Sequence, residues 1–409
     1  MKIFASVALI TVLIFTGMTQ SNADDVDLFL AQIPPDALIL LDLSSSMKWT
    51  TTGEKMYVST AGTCASNVAF YPTSGTGYTI ECVINPDATV PKYGDGSCSG
   101  PFYMTSRTGY STDCSRLAIA RKSIFDLLDD NDDNTINTQD ETSLGIRLGF
   151  MRFRDGDDTA GDYNAGNIRL GKKNTSGCTE STLTSDALGI GSSYIDIYNR
   201  INCETANSGT PLASSLNEAK LYLDAHKAGD SSKECRKKFV ILVTDGADTY
   251  ACSGTGAETQ ADQYKRRRES VAKAKALADA GYKVFIVGFG AGMPHYLKNT
   301  LNWMAYYGGT DNPGVANSGD TAQYNIPSGS LYPSDITQCM VSPVSTHTFT
   351  GETSSHYFAS TSANSGVQFN DPGELSLTGY AFFAEDASQL ITALKTIKNY
   401  IQEKSTSFA

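Results

Sequence analysis

The chain of 409 residues is short of the side chains that carry most catalytic and zinc chemistry: it holds four histidines, two tryptophans, and nine cysteines with no CxxC pair among them. A zinc site of closely spaced thiolates and imidazoles is therefore not expected. Basic residues are also scarce, 32 against 44 acidic ones, for a formal net charge of −12. That balance argues against nucleic acid as a partner and favours divalent cations and basic or neutral protein surfaces. The one basic run, Lys265-Arg266-Arg267-Arg268, lies in a helical stretch with Tyr264, Val271, Ala274 and Ala278 at core spacing, and is read as a solvated helix face. Beyond the first residues, no apolar run reaches the length of about 20 that a membrane helix needs.

What is present begins with an export signal. Lys2 supplies the positive start, Ile3 to Gly17 the apolar stretch, and Ser21-Asn22-Ala23 the small-residue cleavage pattern, so residues 1–23 are expected to be removed. Residue 24 is aspartate rather than cysteine, so lipid attachment there is not expected. Removal of one lysine and no acid leaves 31 basic against 44 acidic residues, a net of −13. Export permits disulfides, and the nine cysteines at 64, 82, 98, 114, 178, 203, 235, 252 and 339 leave at least one without an intrachain partner. Neighbour pairing, for instance Cys178 with Cys203 and Cys235 with Cys252, is one arrangement among several.

Three almost continuous apolar runs, Ala37 to Leu43, Phe239 to Thr244 and Lys283 to Phe289, read as strands buried on both faces. Leu117 to Leu128, Pro211 to Ala225 and Ser270 to Ala280 carry helical stripes, the last closing at Gly281. Leu144 to Phe153 alternates as a strand, with Asn167 to Leu170 as a short edge; Tyr380 to Ala384 and Asp386 to Ile401 form a last strand and helix. The alternation predicts an α/β fold with a doubly wound, mostly parallel sheet over residues 24–409. Residues 48–113 and 309–378, rich in small polar residues, are expected as loop-rich insertions on its rim.

The first strand ends in Asp42-Leu43-Ser44-Ser45-Ser46, a later one in Thr244-Asp245-Gly246, and Gly209-Thr210-Pro211-Leu212 opens a helix between them. In a doubly wound sheet, ligands bind in the crevice beyond the carboxyl ends of the strands, and these residues belong there. A competing reading has the two aspartates capping turns and the serines capping a helix. The order and spacing of Asp42, Ser44, Ser46, Thr210 and Asp245 resemble the metal-ion-dependent adhesion site of von Willebrand A domains. The resemblance implies the fold over about residues 36–401, with Ser44, Ser46 and Thr210 as hydroxyl ligands of Mg²⁺ or Mn²⁺ and Asp42 and Asp245 acting directly or through water. It further implies an open coordination position for an acidic residue of a protein partner. No histidine lies near these motifs and no G-x-S-x-G elbow surrounds the serines, so an enzyme is not expected.

A second cation site is legible after the first helix. Asp129, Asn131, Asp133 and Asp140 occupy positions 1, 3, 5 and 12 of a loop with Ile136 at the apolar position 8. The pattern resembles the Ca²⁺ loop of EF-hands and, more closely, dockerins, which implies a backbone carbonyl from Thr135 and a water-mediated role for Asn137. Asn134 stands where such loops carry glycine, and asparagine also tolerates a left-handed backbone. Starting one residue later would use Asp130, Asp132, Asn134 and Glu141 but puts the apolar residue out of register.

Further segments resemble the N-terminal part of PilY-type proteins, adhesins and assembly factors of type IV pili. They are Asp25-Val26-Asp27-Leu28-Phe29-Leu30, the acidic loop before Leu144 to Phe153, Leu301 to Thr310, and Ser405-Thr406-Ser407-Phe408. That resemblance implies an exported protein of the periplasm, outer surface or pilus tip, with minor pilins or a surface receptor as partners. Family members continue into a C-terminal β-propeller that these 409 residues lack. The adhesive module is therefore expected here rather than control of pilus retraction. An assembly factor in which the metals mainly stabilise the fold is the alternative.

Overall fold

The computed structural model describes residues 33–49, 51, 68–72, 80–84, 115–153, 187–204, 206, 209–249, 263–326, 344–347, 356–359 and 371–406. The export signal, the expected edge strand Asn167 to Leu170, and cysteines 64, 98, 114, 178, 252 and 339 lie outside them.

In chain order the elements are β1 (Asp36–Leu41), β2 (Val68–Pro72), β3 (Ile80–Ile84), α1 (Arg116–Leu128), α2 (Thr138–Leu144), β4 (Arg147–Arg152), β5 (Ala187–Leu188), α3 (Tyr194–Cys203) and α4 (Leu212–Gly229). Then follow β6 (Lys238–Thr244), α5 (Gln263–Asp279), β7 (Tyr282–Phe289), α6 (His295–Tyr307), β8 (Val344–His347), β9 (His356–Ala359), β10 (Phe382–Ala384) and α7 (Ala387–Thr406). The six-stranded sheet has the order β10-β7-β6-β1-β4-β5. All its pairings are parallel except the edge pair β4 and β5. From β1 the chain winds outward through β4 and β5, then returns to wind the other way through β6, β7 and β10. The reversal makes the β1/β6 boundary the topological switch point. Strands β2 with β3 and β8 with β9 form separate antiparallel pairs inside the two insertions.

The sheet is apolar on both faces because helices cover both. Alternate residues of β1 diverge: Ala37, Ile39 and Leu41 join the core under α1, α3 and α7, while Leu38 and Leu40 join the core under α4, α5 and α6. The doubly wound α/β class read from the sequence is thus the observed one.

Several local readings differ. The expected strand start at Leu144 is instead the end of α2, because Asn137 accepts from Gln139 N at 2.7 Å and Asp140 accepts from Asn137 N at 2.8 Å. This reciprocal cap nucleates a helix shorter than any periodicity window resolves. The observed edge strand is Ala187–Leu188. Helix α3 carries Tyr194, Ile197, Tyr198 and Ile201 on the buried side and is capped by Ser193, which accepts from Asp196 N. Cys235 is an exposed free thiol; Cys252, offered as its neighbour, lies outside the described residues.

The basic run is the clearest correction. Arg266, Arg267 and Arg268 are buried, at 1%, 3% and 1% exposure, rather than solvated. The chain segment after residue 370, part of the second insertion, crosses this side of the fold. Asp371 takes the Arg267 guanidinium in two bonds of 3.0 and 2.7 Å. A Cβ on Gly373 would stand 2.5 Å from Arg267 Nε, so the backbone passes directly over the side chain. Trp303 Nε1 donates to Leu375 O at 2.7 Å, Asn299 Nδ2 to Gly373 O at 2.9 Å, and Tyr324 and Leu377 are buried in the same core. The described part of this insertion covers α5 and α6 rather than standing on a rim. Arg267→Ala leaves the Asp371 carboxylate buried without its bidentate partner, so a loss of about 3–5 kcal/mol is expected in denaturant unfolding; a loss below about 1 kcal/mol would show that the pair is dispensable.

Candidate metal centre

The in-register ladder between β1 and β6 sets Leu41 beside Val243. Asp42 N extends that ladder by donating to Val243 O at 2.9 Å. The residues that leave the two strands therefore emerge side by side at the carboxyl edge. Asp42 Oδ1 accepts from Ser44 N at 2.7 Å, and Oδ2 accepts from Thr244 Oγ1 at 2.7 Å and Asp245 N at 3.4 Å. Asp42 thus holds both turns in shape and has spent most of its lone-pair directions on the protein. Toward a cation it fits a water-mediated role.

Asp245 lies with Ser46 Oγ at 2.8 Å and Ser44 Oγ at 3.4 Å from its Oδ1, and the two serine hydroxyls are 3.0 Å apart. Ser44 precedes a short 3₁₀ turn, Ser45–Lys48, but its side chain makes no cap bond, so its hydroxyl remains at the site. Of the competing capping reading, the structure keeps the part for Asp42 and not the part for Ser44. Thr210 arrives from the α4 side. Its Oγ1 would be 3.2 Å from a Cβ on Gly246, so a bare glycine after Asp245 lets the hydroxyl approach. Two backbone ties fix that approach, Thr210 N to Thr249 Oγ1 at 2.7 Å and Thr249 N to Thr210 O at 2.9 Å, while Asp248 caps α4 by accepting from Ala213 N at 2.6 Å. All five sequence-assigned residues are brought to one edge of the sheet. Thr244, Asp248 and Thr249 were not singled out from the sequence, although each lies within four residues of Asp245.

The donor set consists of hard oxygens, two of them on carboxylates, as a Mg²⁺ or Mn²⁺ ion requires. Burial, and then the Asp245 charge, push the Asp42 carboxyl up to about 7. One cation already faces this pair: Arg116 Nη1, from the first residue of α1, donates to Asp245 Oδ2 at 2.7 Å. Gly290, at φ +142°, leaves the guanidinium room, since a Cβ there would lie 3.1 Å from Arg116 Cζ. No sequence signal pointed to Arg116, which is 129 residues from Asp245.

The acidic loop forms its own knot. Asp129 accepts from Asp133 N at 3.2 Å and Asn134 N at 2.9 Å; Asn131 Oδ1 accepts from Asp133 N at 3.0 Å; Asp133 Oδ1 accepts from Thr135 N at 2.8 Å. Asp140 Oδ1 reaches back to Asp130 N at 3.0 Å and Asn131 N at 3.3 Å, closing the loop. Asn137 donates from Nδ2 to Thr135 O at 3.0 Å, Asn134 is left-handed at φ 63°, and Ile136 is buried. The alternative frame faces elsewhere: Asp130 and Asp132 turn to Lys398 and Lys395 of α7 at 2.7 and 3.6 Å, and Glu141 accepts from Tyr194 N. Burial, with the Asp140 and Asp133 charges, raises the Asp129 carboxyl above the ordinary range against two backbone bonds that lower it.

A third group, Asp36, His226 and Asp230, meets at the opposite end of the sheet. Lys238 Nζ already sits there, 2.6 Å from Asp36 and 2.9 Å from Asp230, so this is an ion-pair cluster closed by its own ammonium.

Two outcomes follow for the cation sites. Asp42 is raised in the folded chain, which therefore holds a proton there that the unfolded chain has lost above about pH 4. In chelator its contribution makes stability fall as pH rises from about 4 to 7 and level off above. Melting temperatures across that range should show this slope weakened in Asp42→Asn; an identical slope in the variant contradicts it. For the acidic loop, Ca²⁺ at a hundred times its dissociation constant should add about 2.7 kcal/mol. Asp133→Ala should remove that gain, and a calcium-insensitive melting curve for the unaltered chain would rule the site out.

No family model and no curated protein matches the chain. Among solved structures it is similar to the pilus adhesin SpaC of Lactobacillus rhamnosus GG, at 13% identity and TM-score 0.36 over 91% of this chain and 30% of that one. It is also similar to the PilB minor pilin of Streptococcus sanguinis, at 11% identity and TM-score 0.36 over 91% of this chain and 62% of that one. A third is proximal thread matrix protein 1 of the mussel byssus, at 14% identity and TM-score 0.31 over 67% of this chain and 41% of that one. The chain spans less than two thirds of each. Likenesses this distant assign no family, and what the site can do rests on its own side chains.

Proposed function

We propose that this chain is a cation-dependent, non-enzymatic binding module, in which Mg²⁺ held by Ser44, Ser46, Thr210 and Asp245, with Asp42 behind them, recruits an acidic residue of a protein partner. The carrying observation is the convergence itself: Ser46 Oγ lies 2.8 Å from Asp245 Oδ1, and Thr210 Oγ1 lies beside Gly246, at the switch point of the sheet. Neutral hydroxyls and few carboxylates leave a divalent ion electron-poor, so it gains from a further anionic oxygen. The arrangement has the ligand types and order of the von Willebrand A adhesion site, which supports that family reading. The PilY-like segments support an exported, pilus-associated setting with minor pilins or a surface receptor as partners.

An assembly role is favoured by one observation at the acidic loop. There Lys398 and Lys395 of α7 tie Asp130 and Asp132 across the fold, so calcium at Asp129, Asn131, Asp133 and Asp140 would brace structure rather than bind a partner. The two readings divide on Asp42→Ala and Thr210→Ala. Adhesion predicts that both variants keep their circular dichroism, lose Mg²⁺ heat in calorimetry, and attach to cells or pilins no better than the unaltered chain in chelator. Attachment that persists in both variants while pilus number falls points to assembly instead. Unchanged Mg²⁺ affinity in Asp42→Ala refutes the metal assignment.

A further inference from the structure

Arg116 is a component that a five-oxygen cation cradle does not require. Its guanidinium is buried, with 9% of the side chain exposed against 0% for Asp245. One arm, Nη1, holds Asp245 Oδ2 at 2.7 Å; the other, Nη2, reaches Thr51 O only at 3.4 Å. Nε is buried with no hydrogen-bond partner. A buried donor left without a partner is costly, and here it lies on a guanidinium that already holds the carboxylate of the candidate metal centre. The fork is held at Asp245 and more weakly at Thr51, and Nε has capacity left over, on the same guanidinium that pairs with the carboxylate assigned to the divalent ion.

A divalent ion on Asp245 and a guanidinium on the same carboxylate repel each other across a few ångströms of protein interior, where such charges interact strongly. Each therefore weakens the other's hold. With the ion on the Oδ1 side of Asp245, where the serine hydroxyls lie, the guanidinium's hold on Oδ2 would be weakened and its planar fork, still charged, would become available. A carboxylate matches that fork, since its two oxygens accept two parallel N–H bonds or divide between a metal ion and an arginine.

We propose that Arg116 is an internal competitor for Asp245 that weakens Mg²⁺ binding in the free module, and that it becomes the second anchor of the partner's carboxylate once Mg²⁺ is bound. The inference rests on the adhesion-site reading above. It makes the site a two-point receptor for an aspartate or glutamate side chain, with ion and acid binding cooperatively because the acid takes over the guanidinium that the ion displaced. By reciprocity the acid must tighten Mg²⁺ by the same factor that Mg²⁺ tightens the acid.

The test is Mg²⁺ calorimetry on the full chain, with and without saturating acetate as the carboxylate probe, for the unaltered protein, Arg116→Gln and Arg116→Lys. Arg116→Gln is expected to bind Mg²⁺ alone roughly tenfold tighter, within the span that coupled sites usually show, and to lose most of the tightening that acetate gives the unaltered chain. Arg116→Lys keeps the charge without the fork, so it should retain the weaker Mg²⁺ affinity while losing the acetate effect; it also serves if the glutamine variant does not fold. Equal or weaker Mg²⁺ binding in Arg116→Gln overturns the proposal, as does an acetate effect of the same size in all three proteins. These results would leave the adhesion-site reading standing. Absence of Mg²⁺ binding in every protein overturns that reading and this one together, whereas binding that emerges only in Arg116→Gln supports both.

Discussion

Two carboxylates forced into one buried corner are the constraint around which this molecule is organised. The parallel register of β1 on β6 places Asp42 and Asp245 at neighbouring strand ends, and the helices on both faces remove them from water. Neither charge is tolerable there without compensation. Hydrogen bonds from Ser44 N and Thr244 Oγ1 offset this only in part at Asp42, whose carboxyl stays raised, and the Arg116 guanidinium pairs with Asp245. On the proposed reading, a divalent ion would exchange one positive group for another at Asp245, a substitution within an existing electrostatic arrangement. The hydroxyls of Ser44 and Ser46 already lie along the edge of Asp245 where such an ion would need them.

The rest of the fold handles buried charge in the same way, by matching it locally. At the opposite end of the sheet Lys238 closes the Asp36 and Asp230 pair, and on the outer side of α5 Asp371 receives Arg267. Hydrogen bonds from Lys238 and Ser232, and the Lys238 and Arg236 charges, outweigh burial at Asp230 and hold its carboxyl well below the usual range. These clusters lie away from the candidate metal centre: Asp36 and Asp230 sit at the other end of the sheet, and Arg267 and Asp371 on the outer side of α5. They stabilise one arrangement, whereas on the proposed reading the Asp245 corner would accept either of two cations.

The acidic loop illustrates how tertiary contacts choose between readings that are equally legible in one dimension. Both frames of the run 129–141 supply acidic or amide side chains at alternating positions. Lys395 and Lys398, far along the chain in α7, engage Asp132 and Asp130, and Glu141 is occupied at Tyr194 N. Asp129, Asn131, Asp133 and Asp140, with Asn137, are folded over the loop's own backbone. The left-handed backbone at Asn134 is a local matter, and there residue type was informative because asparagine bears that conformation with little strain.

The sequence by itself determined the doubly wound class, the central strands, and the five oxygen-bearing residues at strand and helix ends, because these depend on periodicity and on residues within a few positions of one another. Tertiary structure decided everything that depends on which distant segments meet. It buried Arg266 to Arg268, Arg267 beneath the segment at 371–375, although a run of arginines looks solvated in isolation. It set Arg116 against Asp245, 129 residues away. Hydrophobic patterning records how an element faces the core, but charge pairing is a property of two surfaces, and the second surface is nowhere in the local sequence.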